Sequence, residues 1–163
     1  MALRLAGYLA TILLSHYIAS FVQISLHYVL GHRTLGGLFH QRHVYEHHGI
    51  YSGSALLSET YSDKEKDASV YYIIPAALLV SLAHLTLPLD LFIVHVLSLA
   101  TSFAAHVYIH HQYHLRSPLL KRFGWFQQKR RLHLLHHRDM EKNYAVIEFG
   151  WDRVFGTYQA VER

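Results

Sequence analysis

The chain has no cysteine among its 163 residues, which excludes disulfides, thiolate-held zinc and iron–sulfur clusters together. Any redox work must use histidine, carboxylate or an external partner. Charge is scarce too: Asp, Glu, Lys and Arg make up 16% of the chain, and residues 5–29 contain none. The "TLPLD" turn carries no Lys or Arg, and there is no internal repeat and no low-complexity tract. At this length the chain suits one domain, 1–163, and hardly two.

What is present is apolar. The hydrophobic content is 52% and the mean hydropathy +0.11, both high for a soluble protein. The run from Leu5 to Val29 is long enough to cross a bilayer as a helix. A cleaved leader beginning at Arg4 is the rival reading, but the run is too long and continues straight into His27 and His32. Ser15, His16, Ser20 and Gln23 interrupt it, so one face should pack on other helices. Two further runs, 70–87 with a kinking Pro75 and 89–110, read as a transmembrane hairpin. Between the first span and this hairpin, a surface helix is expected from about Leu38 to His48, then a charged loop, "SETYSDKEKDAS". The segment "SPLLKRFGWFQQKRR" has the composition of an interfacial amphipathic helix.

A net charge of +4 and a pI near 9.3 would suit nucleic acid, but the placement of the charges favours a membrane surface. Of fifteen Lys and Arg, only Arg4 starts the first span; the rest flank the histidine-rich segments. By the positive-inside rule that side is cytoplasmic and the N-terminus lies outside. The sequence thus predicts an all-α integral membrane protein with about three spans, 5–30, 70–87 and 89–110. A helical cap of residues 32–66 and 111–163 would sit on the cytoplasmic face of a bacterial inner membrane or the endoplasmic reticulum.

Sixteen histidines dominate the polar residues. They recur in four clusters: His27 and His32, His43 with His47 and His48, His106 and His110, and His133 with His136 and His137. On a helix, side chains three and four apart are neighbours, so His133 lies with His136 and His137, and His106 with His110; His27 and His32 repeat the grammar in the looser form His-x4-His. Neutral imidazole suits iron, zinc and copper without a carboxylate ligand. Adjacent histidines on a helix diverge by about 100°, so a doublet such as His47–His48 fits two metals better than one.

The chain resembles the membrane fatty acid hydroxylase and sterol desaturase superfamily. The likeness rests on His-x4-His at the end of a span, His-x3-His-His after it, His-x3-His ending a later span, and a terminal His-x-x-His-His followed by "NYAVIEFGWDRVFGTY". It covers residues 27–158. It departs in two places: the family usually carries a further span before the first box, and its tail usually reads Asn-Tyr-Gly where Ala145 stands. The resemblance implies an O2-dependent di-iron oxidoreductase that hydroxylates or desaturates a fatty acyl chain or sterol. Zinc can occupy the iron positions, and a separate protein supplies electrons. The implied ligands are His27, His32, His43, His47, His48, His106, His110, His133, His136 and His137. Lipid, membrane and O2 are the expected partners, with no nucleic acid, and a homodimer would complete the substrate wall.

Six histidines remain. His16, His84 and His95 lie within spans and read as packing residues, and His111 as solvent-facing. His40 and His114, three before His43 and four after His110, could each replace a box member. Glu46, Asp139, Glu141, Glu148 and Asn143 are candidates to orient an imidazole through its second nitrogen. Lys129, Arg130 and Arg131 suggest a lipid headgroup contact, or docking of an acidic electron donor. A carotenoid hydroxylase is the runner-up on size and boxes. A metal transporter or haem protein is the non-enzyme alternative, but transport wants ligands near the bilayer midplane, not at span ends.

Overall fold

Long apolar helices set the architecture, and small polar residues decide how they pack. The computed structural model describes residues 1–62 and 70–161; residues 63–69, most of the expected charged loop, lie outside the described residues. Among the described residues the chain is helical, with no strand and one isolated parallel bridge, Ser58 to Leu115. Helix α1 (Ala2–Leu26) runs into a π-helical turn, His27–Gly31. After a 3-10 turn at Thr34–Gly36, residues 38–50 form one helical run, α2: Leu38–His40, a π-helical Gln41–His47, then His48–Ile50. The later helices are α3 (Val70–Thr86), α4 (Leu89–Tyr113), α5 (Gly124–His136) and the short α6 (Gly150–Phe155).

Two segments are long and apolar enough to cross a bilayer, Ala2–Gly31 and Leu89–Tyr113. Helix α3 is shorter, 17 residues, or about 25 Å at 1.5 Å per residue. Pro75 sits in its second turn and leaves the Tyr71 carbonyl without its ladder donor.

Helices α1 and α4 run parallel. Tyr8 Oη donates to Asp90 Oδ2 (2.9 Å) near their N-terminal ends, Ser15 Oγ pairs with His95 Nδ1 (2.8 Å) midway, and His16 Nδ1 pairs with Ser102 Oγ (2.5 Å) further on. Ser15, Ser20 and Gln23 are buried in this seam. Interhelical hydrogen bonds between small polar residues are the glue available where the surroundings are apolar. The outward residues, by contrast, are large and apolar: Leu9 and Leu13 on α1, Leu78 and Leu82 on α3, and Leu97 on α4 are all exposed. Because α1 and α4 are parallel, their histidine-bearing C-terminal ends emerge at the same end of the molecule.

The tail closes over that end. Tyr144, Ala145 and Phe149 pack with Ile24 of α1 and Leu132 of α5, while Val146 and Ile147 pack with Tyr113 of α4 and Phe126 of α5. One strip of tail therefore joins three helices. In the expected interfacial segment residues 119–122 form turns and α5 begins at Gly124; Phe126 is buried in the core, whereas Leu119, Phe123 and Trp125 are exposed. Lys129 Nζ donates to the Ile147 carbonyl and pairs with Glu148 (3.9 Å), and Arg130 donates to the Tyr113 (2.9 Å) and Leu115 carbonyls. Of that basic run, Arg131 is exposed.

Candidate metal centre

The imidazoles gather into two clusters of five. His27, His32, His43, His48 and His136 form the first; His47, His110, His114, His133 and His137 form the second. Within each cluster the candidate ligand atoms all lie within 4.8 Å of one another.

Helix geometry explains the membership. In the first cluster, two pairs are five residues apart, His27 with His32 and His43 with His48. On an α-helix residues five apart point about 140° away from each other. Here each pair closes an i to i+5 bond instead: the His32 N–H donates to the His27 carbonyl (3.1 Å), and the His48 N–H donates to the His43 carbonyl. The π-helical turns thus bring both members to one side, as such turns often do at functional sites. In the second cluster, His110 with His114 and His133 with His137 are four apart at the ends of α4 and α5, on one face of an ordinary helical turn. The fifth member of each cluster comes from a doublet. His47 and His48 divide between the clusters, and so do His136 and His137. The clusters abut, with the His48 and His137 rings stacked at 4.1 Å.

Close approach of backbone packs the first cluster. A Cβ on Gly36 would lie 1.8 Å from the Leu30 carbonyl oxygen, and a Cβ on Gly31 would lie 3.1 Å from His27 Cδ2 and 3.2 Å from His43 Cδ2. His40 lies in neither cluster; its Nδ1 donates to the Gly31 carbonyl (2.9 Å) and braces the same turn.

The second nitrogens are fixed by backbone carbonyls. Nδ1 of His27 donates to Tyr144 (2.5 Å), His136 to Lys142 (2.7 Å), His137 to Tyr51 (2.9 Å) and His114 to Leu56 (3.2 Å). Each bond leaves the Nε2 lone pair free to face inward, the arrangement that orients metal-binding histidines. None of Glu46, Asp139, Glu141 and Glu148 enters either cluster. Glu148 pairs with His16 (3.3 Å), Glu141 with Arg33 (3.2 Å), and Asp139 accepts the Glu141 N–H (3.1 Å). Asn143 shapes the tail that supplies the Lys142 and Tyr144 carbonyls.

This donor set fits metal ions. His27 and His43 Nε2 are 2.7 Å apart, His43 and His48 3.2 Å, His47 and His137 3.1 Å, and His114 and His133 3.0 Å. Two imidazole nitrogens bound about 2.1 Å from one ion at ordinary ligand angles are about 3.0–3.4 Å apart, which the last three of these pairs match, His27 and His43 lying closer. His136 Nε2 is buried without a hydrogen-bond partner, a lone pair that a cation would satisfy.

Burial, then the charge of neighbouring imidazoles, holds His43, His47, His48, His133, His136 and His137 well below the usual imidazole range. Burial lowers His114 to about 3, partly opposed by its bond to Leu56. These rings are neutral at pH 7 and available as ligands.

Nine of the ten sequence-derived ligands lie in the clusters; His106 does not. Its Nδ1 donates to the Ser102 carbonyl (2.7 Å) and its ring lies 6.0 Å from that of His16. His114 stands in the second cluster instead. The sequence offered both His106–His110 and His110–His114 at the same spacing, and the bridge at Ser58–Leu115, which docks residues 56–58 on the end of α4, favours the latter. His16, His84 and His95 are outside both clusters. His111, expected to face solvent, is half-buried and stacks on Tyr61 at 3.9 Å.

The family profile described as "Fatty acid hydroxylase" matches residues 12–157. No curated protein and no solved structure matches the chain.

Proposed function

Since the chain belongs to the fatty acid hydroxylase family, and so is an oxidoreductase, we propose that it is a di-iron oxygenase acting on the hydrocarbon part of a membrane lipid. The observation that carries this reading is the pair of abutting five-imidazole clusters at the end of two apolar helices. All ten members of the clusters would serve as ligands, His114 taking the place given to His106 on sequence grounds. Iron held there would supply O2 activation toward an unactivated C–H bond, which side-chain acid–base chemistry cannot.

The protein's own part is positioning. The backbone carbonyls of Tyr144, Lys142, Tyr51 and Leu56 fix four imidazole tautomers, so no proton must move for those rings to bind metal. Tyr144 packs against the His27, His32 and His136 rings, and Tyr113 against the His133 ring. The apolar flanks of α1, α3 and α4 offer a wall along which an acyl chain or sterol reaches the centre from the bilayer. Hydroxylation balances as RH + O2 + two electrons + two protons giving ROH + H2O. The electrons would come from a separate donor protein, and not through an iron–sulfur cluster of this chain, which has no cysteine. Helix α3 would be the third span, with Ile74, Leu78, Leu82 and Leu85 facing lipid. The Lys and Arg that flank the histidine-rich segments support a centre at the cytoplasmic face and an N-terminus outside.

Lipid profiles of cells expressing the protein, grown with and without O2, test the reading. An O2-dependent hydroxylated or unsaturated lipid should appear, and should be absent with the His133→Ala, His137→Ala variant. Identical profiles would refute it.

A further inference from the structure

Asp152 is fully buried, and no cation pairs with it among the described residues. Buried carboxylates persist only when their oxygens are hydrogen-bonded, and here the partners are specific. Oδ1 accepts the Tyr144 N–H (2.8 Å) and the Thr157 hydroxyl (2.8 Å), and Oδ2 accepts the Ala145 N–H (3.1 Å). The Asp152 carbonyl also accepts the N–H groups of Thr157 (2.8 Å) and Tyr158 (3.1 Å), so the carboxylate sits on a tied turn.

The peptides it grips belong to residues that serve the first cluster. The Tyr144 carbonyl orients His27, and two residues earlier the Lys142 carbonyl orients His136. Between them Asn143 takes a left-handed backbone (φ 54°), which turns the chain so that both carbonyls face the cluster. Its N–H donates to the Thr157 carbonyl (3.0 Å), and its side chain exchanges hydrogen bonds with Gln159 (both 2.9 Å). The second cluster is served from elsewhere: His137 by Tyr51 and His114 by Leu56.

We propose that Asp152 is a positioning residue for one of the two metal positions, holding the 144–145 backbone so that the Tyr144 carbonyl fixes His27 with its Nε2 lone pair toward the first cluster. Without the carboxylate, two buried N–H groups lose their acceptor and the peptide turns. The His27 ring then loses its Nδ1 anchor and can carry its proton on Nε2, where it is no ligand. His27 Nε2 lies 2.7 Å from His43 Nε2 and 3.2 Å from His32 Nε2, so the first position weakens and the second does not.

This inference rests on the two-metal reading, and zinc titrated into the chelator-stripped full chain in nanodiscs separates the two. The native chain should bind two zinc ions tightly. Asp152→Ala should keep one at native affinity and bind the other about 10–100-fold more weakly, the usual cost of losing an outer partner. Adding His133→Ala should remove the remaining tight site, whereas adding His136→Ala should leave it. Two tight sites in Asp152→Ala, or equal weakening of both, would overturn the inference while leaving the two-metal reading intact. A native chain that binds one ion or none would end both. If Asp152→Ala does not fold, Asp152→Asn, which keeps one acceptor oxygen for the two N–H groups, should weaken the first site alone and by a smaller factor; two sites at native affinity, or equal weakening of both, would overturn the inference.

Discussion

His47 and His48 are adjacent in sequence, yet their rings stand 90° to each other and serve different clusters. His136 and His137 repeat the arrangement from α5, with rings at 86°. Each doublet is a bridge: one helical turn contributes to both positions and fixes their separation. His47→Ala should therefore deplete the second position and His48→Ala the first, each by more than the 10–100-fold typical of an outer partner. Competition against a chelator of known affinity would read this out. Loss of both ions in either single variant would mean that the positions are not separable.

His114 and His106 provide the sharpest contrast between structure and sequence pattern. His114→Ala should weaken one metal site and reduce turnover severely. His106→Ala should leave two ions bound, because its ring belongs to neither cluster. Elemental analysis of the purified variants decides the matter. The opposite ranking would restore His106 as a ligand.

Much of the site is legible in the sequence, because imidazole clusters at helical spacing have few structural uses. The division of His47 from His48 follows from the angle between neighbouring helical residues alone. The phase of α4 is not legible in the same way: His106–His110 and His110–His114 have identical spacing, and docking of the 56–58 segment favours the second. Nor could spacing reveal the π-helical turns that align His27 with His32, since an α-helical period sets them apart. Side chains such as Glu46, Glu148 and Asn143 are the orienting groups a sequence can suggest, but backbone carbonyls of loops do that work, and a carbonyl has no signature in a sequence. The burial of Phe126 is not legible either, because an aromatic beside basic residues is equally compatible with a lipid surface and with a core.

Gly31 tests how tightly the first cluster is packed. A methyl group there meets both the His27 and His43 rings closer than van der Waals contact. Gly31→Ala should cost about 1–3 kcal/mol, as overpacking does, and lower affinity at the first position. Thermal unfolding with and without zinc measures both effects. Unchanged stability and unchanged affinity together would show that the rings can yield.

The metal-free protein should be sensitive to mild acid. Imidazoles of the unfolded chain take up protons near pH 6.5, whereas burial holds His43, His47, His48, His133, His136 and His137 well below that, and His114 at about 3. Below pH 6.5 the unfolded state binds more protons than the native state, so stability rises with pH up to that point and levels off above it. The slope can reach about 1.4 kcal/mol per pH unit for each such histidine. Unfolding of stripped protein should therefore show a steep fall in midpoint from pH 6.5 to 5.5 and little change from pH 7.5 to 8.5. A flat profile through pH 5.5 would contradict the neutral, buried clusters.

The central claim is that the two clusters support O2-dependent attack on a lipid C–H bond. Membranes containing the iron-loaded protein, a reductase system and candidate lipids, incubated under 18O2, test it most directly by mass spectrometry of the extracted lipids. The prediction is a hydroxylated lipid carrying one 18O atom, or an alkene formed only when O2 is present, and neither product with the His133→Ala, His137→Ala variant. A product whose oxygen comes from water, or no difference between active protein and variant, would contradict it.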